Sequence, residues 1–439
     1  MPEGETADPN RIPLTQVRYL LELFGPEIET QPPGWGASDK DPDPRSPVEF
    51  IYRRDHLLVR DEDVRRLPQA DVRAEVVRHP VPGLALVKVI PPGGAKQPEN
   101  LLVTLTRVDA ILGPGVASPD YLLSVSAHGR PHVPNPGTIC PATEPDGVPR
   151  HAPPQPAVSA GRCDGRGVLV AVADTGLLRS APELHPWMHG VEGTFEPEVN
   201  PETHLIPRYT GHGTFIASII RAMAPRAQVR VARLFELGGA NFESDVVEVL
   251  YQVMDWAPDI ISLSAGTHTW LNRGLLSFRF FVDGPLRERS GTVLVAAAGN
   301  DGLDWKFSPA KMQGVISVGA LGADEDGRAW FSNYGDWVRV YAPGEDLVHA
   351  YARGMYHYYE TPGRPDQEFF GMAEWSGTSF STPVVSGLIA ARMSGTGETA
   401  RQAAKSLLAL ARAQALPGVG PVLYPGQACL SPHRHACRC

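Results

Sequence analysis

The chain has 439 residues, a hydrophobic fraction of 42%, a charged fraction of 20% and a formal net charge of -9. That is the composition of a soluble globular protein, too long for one ordinary domain and lacking the basic footprint of a nucleic-acid binder. No apolar run approaches the roughly 20 residues needed to span a bilayer, so no membrane partner is expected. Residues Met1 to Asp8 are acidic with no apolar core, so no signal peptide is read there. The five cysteines (Cys140, Cys163, Cys429, Cys437, Cys439) are odd in number and scattered, without a disulfide framework. The literal expectation is a cytoplasmic protein with reduced thiols, or a secreted one if the true start lies upstream.

Residues 1–47 read as a leader: Val17 to Phe24 predicts a short amphipathic helix, and Gln31 to Pro47 is a Pro/Gly/Asp-rich linker. From 48 to about 130 a compact unit is expected. Its strands are Val48–Tyr52, Leu57–Val59, Val72–Val77, Leu84–Ile90 and Tyr121–Val125, with helical segments at Asp61–Leu67 and Glu99–Leu112. The order β-α-β-β-α-β is that of a ferredoxin-like α+β sandwich. Between Pro131 and Pro156 nine residues are proline, which predicts an extended tether over 131–164. From 165 to 415 the character changes. Unbroken apolar runs (Val168–Ala173, Val229–Ala232, Ile260–Ile261, Val293–Ala298) alternate with the helical patterns Thr214–Met223 and Phe242–Trp256. That alternation predicts an α/β domain with a central, mostly parallel sheet covered on both faces, followed by a tail over 416–439.

Four sites fall at the junctions of these elements. Asp174 follows the run Val168–Ala173 and precedes Thr175-Gly176. His212 lies in Gly211-His212-Gly213-Thr214 at a helix start. Asn300 ends Ala296-Ala297-Ala298-Gly299-Asn300, past another apolar strand. Ser379 lies in Gly377-Thr378-Ser379-Phe380-Ser381-Thr382-Pro383, ahead of the apolar run Val384–Met393, so it opens a helix whose first N–H groups have no helical partner. Each alone has an ordinary explanation: a turn aspartate, a histidine between structural glycines, a Gly-Asn turn, a capping serine. Their occurrence in order, each at the end of a buried strand or the start of a helix, outweighs those explanations, since parallel sheets carry functional residues at the carboxyl ends of their strands.

In these boxes the sequence resembles the subtilisin-like serine peptidases, the subtilases of peptidase family S8. The resemblance covers about 165 to 415, and the order Asp, His, Ser is that of subtilisin. Asp259 to Gly266 looks like the family's substrate-binding strand, and Tyr341-Ala342-Pro343-Gly344 like its buried Ala-Pro-Gly turn. His212 and Asn300 separate the chain from the related sedolisins, which use a Glu/Asp pair with an Asp in the oxyanion hole.

The resemblance implies a serine endopeptidase acting on a protein or peptide substrate through an acyl-enzyme. Ser379 would be its nucleophile, His212 its base, Asp174 the orienting carboxylate, and Asn300 with the Ser379 N–H the oxyanion hole. No cofactor is required; family members often bind calcium, but no acidic loop here is assignable to it. Ser264, Ala265 and Gly266 would form one wall of the pocket for the residue before the scissile bond, and Ala297, Ala298 and Gly299 the other. Small walls predict room for a sizeable side chain, with Asp304, Trp305 or Lys306 either lining the pocket or covering its rim. Ala350–Met372, with Tyr351, Tyr356, Tyr358 and Tyr359, reads as an insertion that shapes the cleft or forms a surface hairpin. The unit over 48–130 stands where the family carries its propeptide, so residues 48–160 are a candidate intramolecular inhibitor or a permanent accessory domain. The tail Cys429 to Cys439 has the wrong spacing for a structural zinc finger. Two other readings stand beside a general peptidase: a dedicated maturation or regulatory protease for one cytoplasmic partner, and a catalytically silent binding protein on the same fold.

Overall fold

The structure, a computed structural model, describes residues 15–31, 50–91, 99–125, 144–236, 238–359 and 364–430. The linker over 32–47, the first part of the Pro-rich tether and the last nine residues of the tail lie outside them. The N-terminal unit begins with α1 (Thr15–Phe24) and β1 (Ile28–Gln31), followed by β2 (Phe50–Arg60) and a 3-10 helix over Asp61–Ala70. Then come β3 (Arg73–Val81), β4 (Leu84–Ile90), α2 (Leu101–Leu112) and β5 (Ala117–Ser124). The two strands expected over 48–59 are one continuous strand, its register shifting between Tyr52 and Leu57 against β5. The segment after it is not α-helical: Pro68 lacks the N–H that an α-helical ladder needs, and Asp71 closes it in the left-handed conformation. These strands pair antiparallel in the order β3-β4-β2-β5, with β1 on the first residues of β2.

The second unit contains β6 (Leu169–Asp174), α3 (Ala181–Leu184), β7 (Glu192–Gly193), α4 (His212–Met223), β8 (Gln228–Arg233) and β9 (Ala240–Phe242). After these come α5 (Glu243–Met254), β10 (Ile260–Leu263), α6 (Leu276–Asp283), α7 (Pro285–Glu288), β11 (Val293–Ala297), β12 (Val315–Leu321) and β13 (Val340–Pro343). The chain then forms a hairpin of β14 (Leu347–Tyr356) and β15 (Gln367–Trp375), and ends in α8 (Thr378–Thr396) and α9 (Ala400–Ala413). Seven strands form a parallel sheet in the order β13-β12-β11-β10-β6-β8-β7. The apolar runs are unbroken because both faces are covered, yet the two-residue period still sorts them. Val170, Val172, Val293 and Val295 pack with α4, α8 and α9, while Ala171, Ala173, Leu294 and Ala296 face the core shared with α5, α6 and the N-terminal unit.

The two units share more than a tether. β5 crosses over to pair antiparallel with β9, Leu122 opposite Phe242 and Ser124 opposite Ala240. It is buried along its whole length because α2 of its own unit and α5 of the second both pack on it. Asp120, on β5, accepts hydrogen bonds from Ser244 N and Oγ (both 2.9 Å) in the first turn of α5 and pairs with Arg53 Nε at 3.0 Å. An acid there serves an N–H that no helical carbonyl reaches. The leader is less peripheral than expected: Val17, Leu20 and Ile28 of α1 and β1 are buried against Ile51 and Leu122 of the N-terminal unit and Phe242 of the second.

Three expectations are corrected. The later tether is not loose: Asp146 and Glu374 exchange backbone hydrogen bonds (2.7 and 2.9 Å), as do Gln155 and Val348 (2.8 and 2.9 Å), which fixes it across both strands of the hairpin. That hairpin is not a surface feature, since Tyr351, Tyr356 and Tyr358 are buried in or beside the core and only Tyr359 is exposed. Finally, Cys163 and Cys429 form a disulfide, with Cα atoms 6.2 Å apart across a separation of 266 residues. That partnership has no local signature, because the fold brings both cysteines to the end of α8, where Gly395 leaves them room. Among the described residues no helix is long and apolar enough to cross a membrane.

Candidate active site

Asp174 is the last residue of β6 and fully buried; His212 is the first residue of α4 and nearly so. Asp174 Oδ1 accepts from Thr175 N at 2.8 Å and lies 2.7 Å from His212 Nδ1. The two glycines around His212 have separate causes. Gly211 caps the helix at φ +85°, a conformation costly for other residues. A Cβ on Gly213 would lie 2.5 Å from Gly176 O and 3.2 Å from Asp174 Cβ, so only glycine lets α4 approach the strand end this closely. The rings of Trp375 and Phe380 pack against the imidazole at centroid distances of 5.4 and 5.2 Å. Trp375, at the end of β15, therefore gives the hairpin a direct contact with the site.

A residue that the sequence reading missed joins the two elements. Glu196 is buried and accepts hydrogen bonds from Thr175 Oγ1 and Gly211 N, both at 3.1 Å. Thr175 Oγ1 in turn accepts from Gly213 N at 3.0 Å. Burial, with the Asp174 charge nearby, pushes the Glu196 carboxyl up to about 8, so near neutral pH it is largely protonated. Nothing around Glu196 in the sequence marks it.

Ser379 is the second residue of α8, after Gly377 as cap, among N–H groups without helical partners. Its carbonyl accepts from Ser264 Oγ at 2.8 Å, tying the helix start to the residues after β10. Asn300 Oδ1 accepts from Thr378 N (2.8 Å) and Thr378 Oγ1 (2.9 Å), which leaves its Nδ2 as the donor for a developing negative charge. Among the described residues Ser379 and His212 share no hydrogen bond. Ser379 Oγ reaches instead to Val125 O at 3.3 Å and Ser264 O at 3.4 Å. Val125 is the residue after β5, so the end of the N-terminal unit lies at the serine. Ser124 and Gly266 exchange backbone hydrogen bonds at 3.1 Å, and Val125 N donates to Gly239 O at 2.9 Å. This segment thus runs between two backbone edges as an extended peptide would.

Of the residues expected to form the two walls, Ser264, Ala265 and Gly266 follow β10 directly, and Ala297, Ala298 and Gly299 lie at the end of β11. The roomy pocket between them is corrected. Phe307, 3% exposed, fills the gap: a Cβ on Gly266 would lie 2.5 Å from Phe307 Cε1, and one on Gly299 3.0 Å from Phe307 Cγ. Asp304, Trp305 and Lys306 are exposed, whereas the next residue, Phe307, is buried. Among the described residues no group of three or more His, Cys, Asp or Glu is placed to hold a metal ion.

Comparison with known proteins gives this arrangement its family. A thermophilic serine proteinase of Bacillus sp. (strain AK1) is 30% identical over 236 residues, 51% of this chain and 51% of that protein. An intracellular serine protease of Paenibacillus polymyxa is 31% identical over 248 residues, 52% of this chain and 66% of that one. The crystal structure of a cold adapted subtilisin-like serine proteinase aligns with a TM-score of 0.46 at 24% identity, covering 60% of this chain and 90% of that one. The chain thus spans between half and two thirds of the length of these two curated relatives. The profile of the subtilase family matches residues 165–416, which begin just ahead of the strand carrying Asp174 and end beyond the helix carrying Ser379. The chain belongs to the subtilase family.

Proposed function

We propose that this chain is a serine endopeptidase that hydrolyses peptide bonds through a transient acyl-enzyme. Ser379 attacks the scissile carbonyl while His212 takes its proton and later returns it to the leaving amine. Asp174 holds the imidazole in the tautomer with Nδ1–H, leaving Nε2 with the lone pair a base needs, and stabilises the imidazolium as it forms. Asn300 Nδ2 and the Ser379 N–H receive the oxyanion; loss of such an asparagine in subtilisin costs about 10²–10³ in rate. Water then resolves the acyl-enzyme with His212 as base. The scheme needs no metal or cofactor, because every group in it is a side chain or backbone amide of this chain. The observation that carries the reading is the buried 2.7 Å contact between Asp174 and His212 at a strand-to-helix junction.

The N-terminal unit, in this reading, is a ferredoxin-like sandwich that silences the site by lying in it. Its antiparallel strand order and the pairing of Ser124 with Gly266 support this, as does the approach of Val125 O to Ser379 Oγ. With its Oγ directed to Val125 O and Ser264 O, Ser379 is not aligned on His212, and catalytic hydrogen bonds of this kind often tighten only in the Michaelis complex. The compartment is open to two readings. Cytoplasmic residence fits the relative named an intracellular serine protease, while a Cys163–Cys429 disulfide is at home in an oxidising compartment.

Fluorophosphonate labelling tests the peptidase reading. The protein is expected to take up one adduct at Ser379, and Ser379→Ala to lose labelling and activity by a factor on the order of 10⁶, the effect of removing the nucleophile in subtilisin. A folded protein whose Ser379 stays unlabelled after the N-terminal unit is released would sink it. Intact-mass mapping of the same samples reports self-processing: only the wild type should lose its N-terminal unit.

A further inference from the structure

We infer that Phe307 restricts the pocket for the residue before the scissile bond to glycine, alanine and serine, making the protein selective for small side chains there. The inference rests on the peptidase reading and adds to it a substrate class that small wall residues alone would not suggest. Both wall glycines look onto the Phe307 ring, Gly266 also onto Ser308 O and Gly299 also onto Asn333 Nδ2. A Cβ on Gly266 would meet Phe307 Cε1 and Cδ1 at 2.5 and 2.9 Å, and one on Gly299 would meet Phe307 Cγ and Cδ1 at 3.0 and 3.2 Å. The ring therefore stands between the walls, in van der Waals contact with both, in the space that a long side chain would have to enter.

The ring is fixed there by its surroundings. Thr267 and the next residue, Ser308, exchange backbone hydrogen bonds at 2.9 Å, so the segment carrying the ring is stitched to the wall itself. Phe307 O accepts from Lys311 N at 2.9 Å. On its far side the ring meets the His268 imidazole edge to face at 5.3 Å, and His268 is held by Asp301, Nε2 to Oδ2 at 3.0 Å. Asn333 Nδ2 bonds both Asp301 Oδ2 and Ala298 O at 3.0 Å, closing a buried bracket from the ring's support back to the second wall. Swinging the ring out would break this packing. A methyl or hydroxymethyl group can lie over the ring face, whereas a Leu or Phe side chain would have to displace it.

The test is a series of peptide substrates differing only at that position, assayed with the full-length protein and its self-processed form. The wild type should favour Gly, Ala and Ser over Leu and Phe by about 10-fold or more in kcat/KM, the scale of discrimination that a tight pocket exerts on added methylenes. Phe307→Gly should gain about 10-fold or more on Leu and Phe, with the Ala substrate changed by much less. Wild-type cleavage after Leu or Phe as fast as after Ala overturns the inference while leaving the peptidase reading intact, and this arm needs no variant to fold. Small-residue preference that persists in a folded Phe307→Gly protein removes Phe307 as its cause. If the released enzyme shows neither labelling at Ser379 nor cleavage of any substrate, the peptidase reading and this one fall together.

Discussion

Glu196 is a carboxylic acid placed within the hydrogen-bond network of another carboxylate. It serves Thr175, beside Asp174, and Gly211, beside His212, so one side chain fixes the relation between the strand end and the helix start. Ionised, it would set a second negative charge next to Asp174 in a buried site, and burial keeps its proton on up to about pH 8. This has a consequence for stability. An unfolded glutamate gives up its proton near about 4.5, whereas the folded one holds it to about 8, so rising pH favours the unfolded state across that window. Glutamine keeps an acceptor oxygen and cannot ionise. Wild type should therefore lose stability relative to Glu196→Gln as pH rises from about 4.5 to about 8, by a few kcal/mol on the order of the shift, and run parallel above it. Denaturant unfolding across that range measures the difference, and parallel curves throughout would show that Glu196 carries no trapped proton.

The contact between the two units is made element by element. β5 belongs to the N-terminal sheet by its pairing with β2, and to the second unit by its pairing with β9 and its capping of α5 through Asp120. Asp120 is fully buried and pushed up to about 6 by burial, so at neutral pH it carries its charge, paired with Arg53. Asp120→Ala removes the cap on α5 and one of the two carboxylate partners of Arg53, a loss of about 1–3 kcal/mol of docking. If β5 holds the cleft closed, Ser379 in the intact variant should label roughly 5- to 150-fold faster with fluorophosphonate, the same free energy read as a rate. Unchanged labelling in a folded variant would mean that the cap does not hold the strand in place. The β14–β15 hairpin acts at the same scale. Its buried face ends in Trp375 against the His212 ring, and its backbone holds the segment over 144–156.

At the scale of the whole molecule, the disulfide joins the entry to the α/β unit with its exit. Cys163 precedes β6 and Cys429 follows α9, so the bond closes a loop that contains every strand of the parallel sheet. Cross-links over long loops restrict the unfolded chain most, and Cys163→Ser should cost about 2–5 kcal/mol, read from the denaturant midpoint. A variant as stable as wild type would show that the bond constrains nothing. The sequence by itself determined the parallel sheet, the four boxes and their places at strand ends and helix starts. Those are local signals: apolar runs, a capping serine and glycines written next to the residues they serve. Only the tertiary structure decided that Glu196 bridges Asp174 and His212, that Phe307 packs against both Gly266 and Gly299, that Cys163 meets Cys429, and that Val125 lies at Ser379. Each of these is a contact between segments far apart in the chain, created when the sheet brings their ends together, and a contact of that kind leaves no pattern in the neighbouring residues for a reader of the sequence to find.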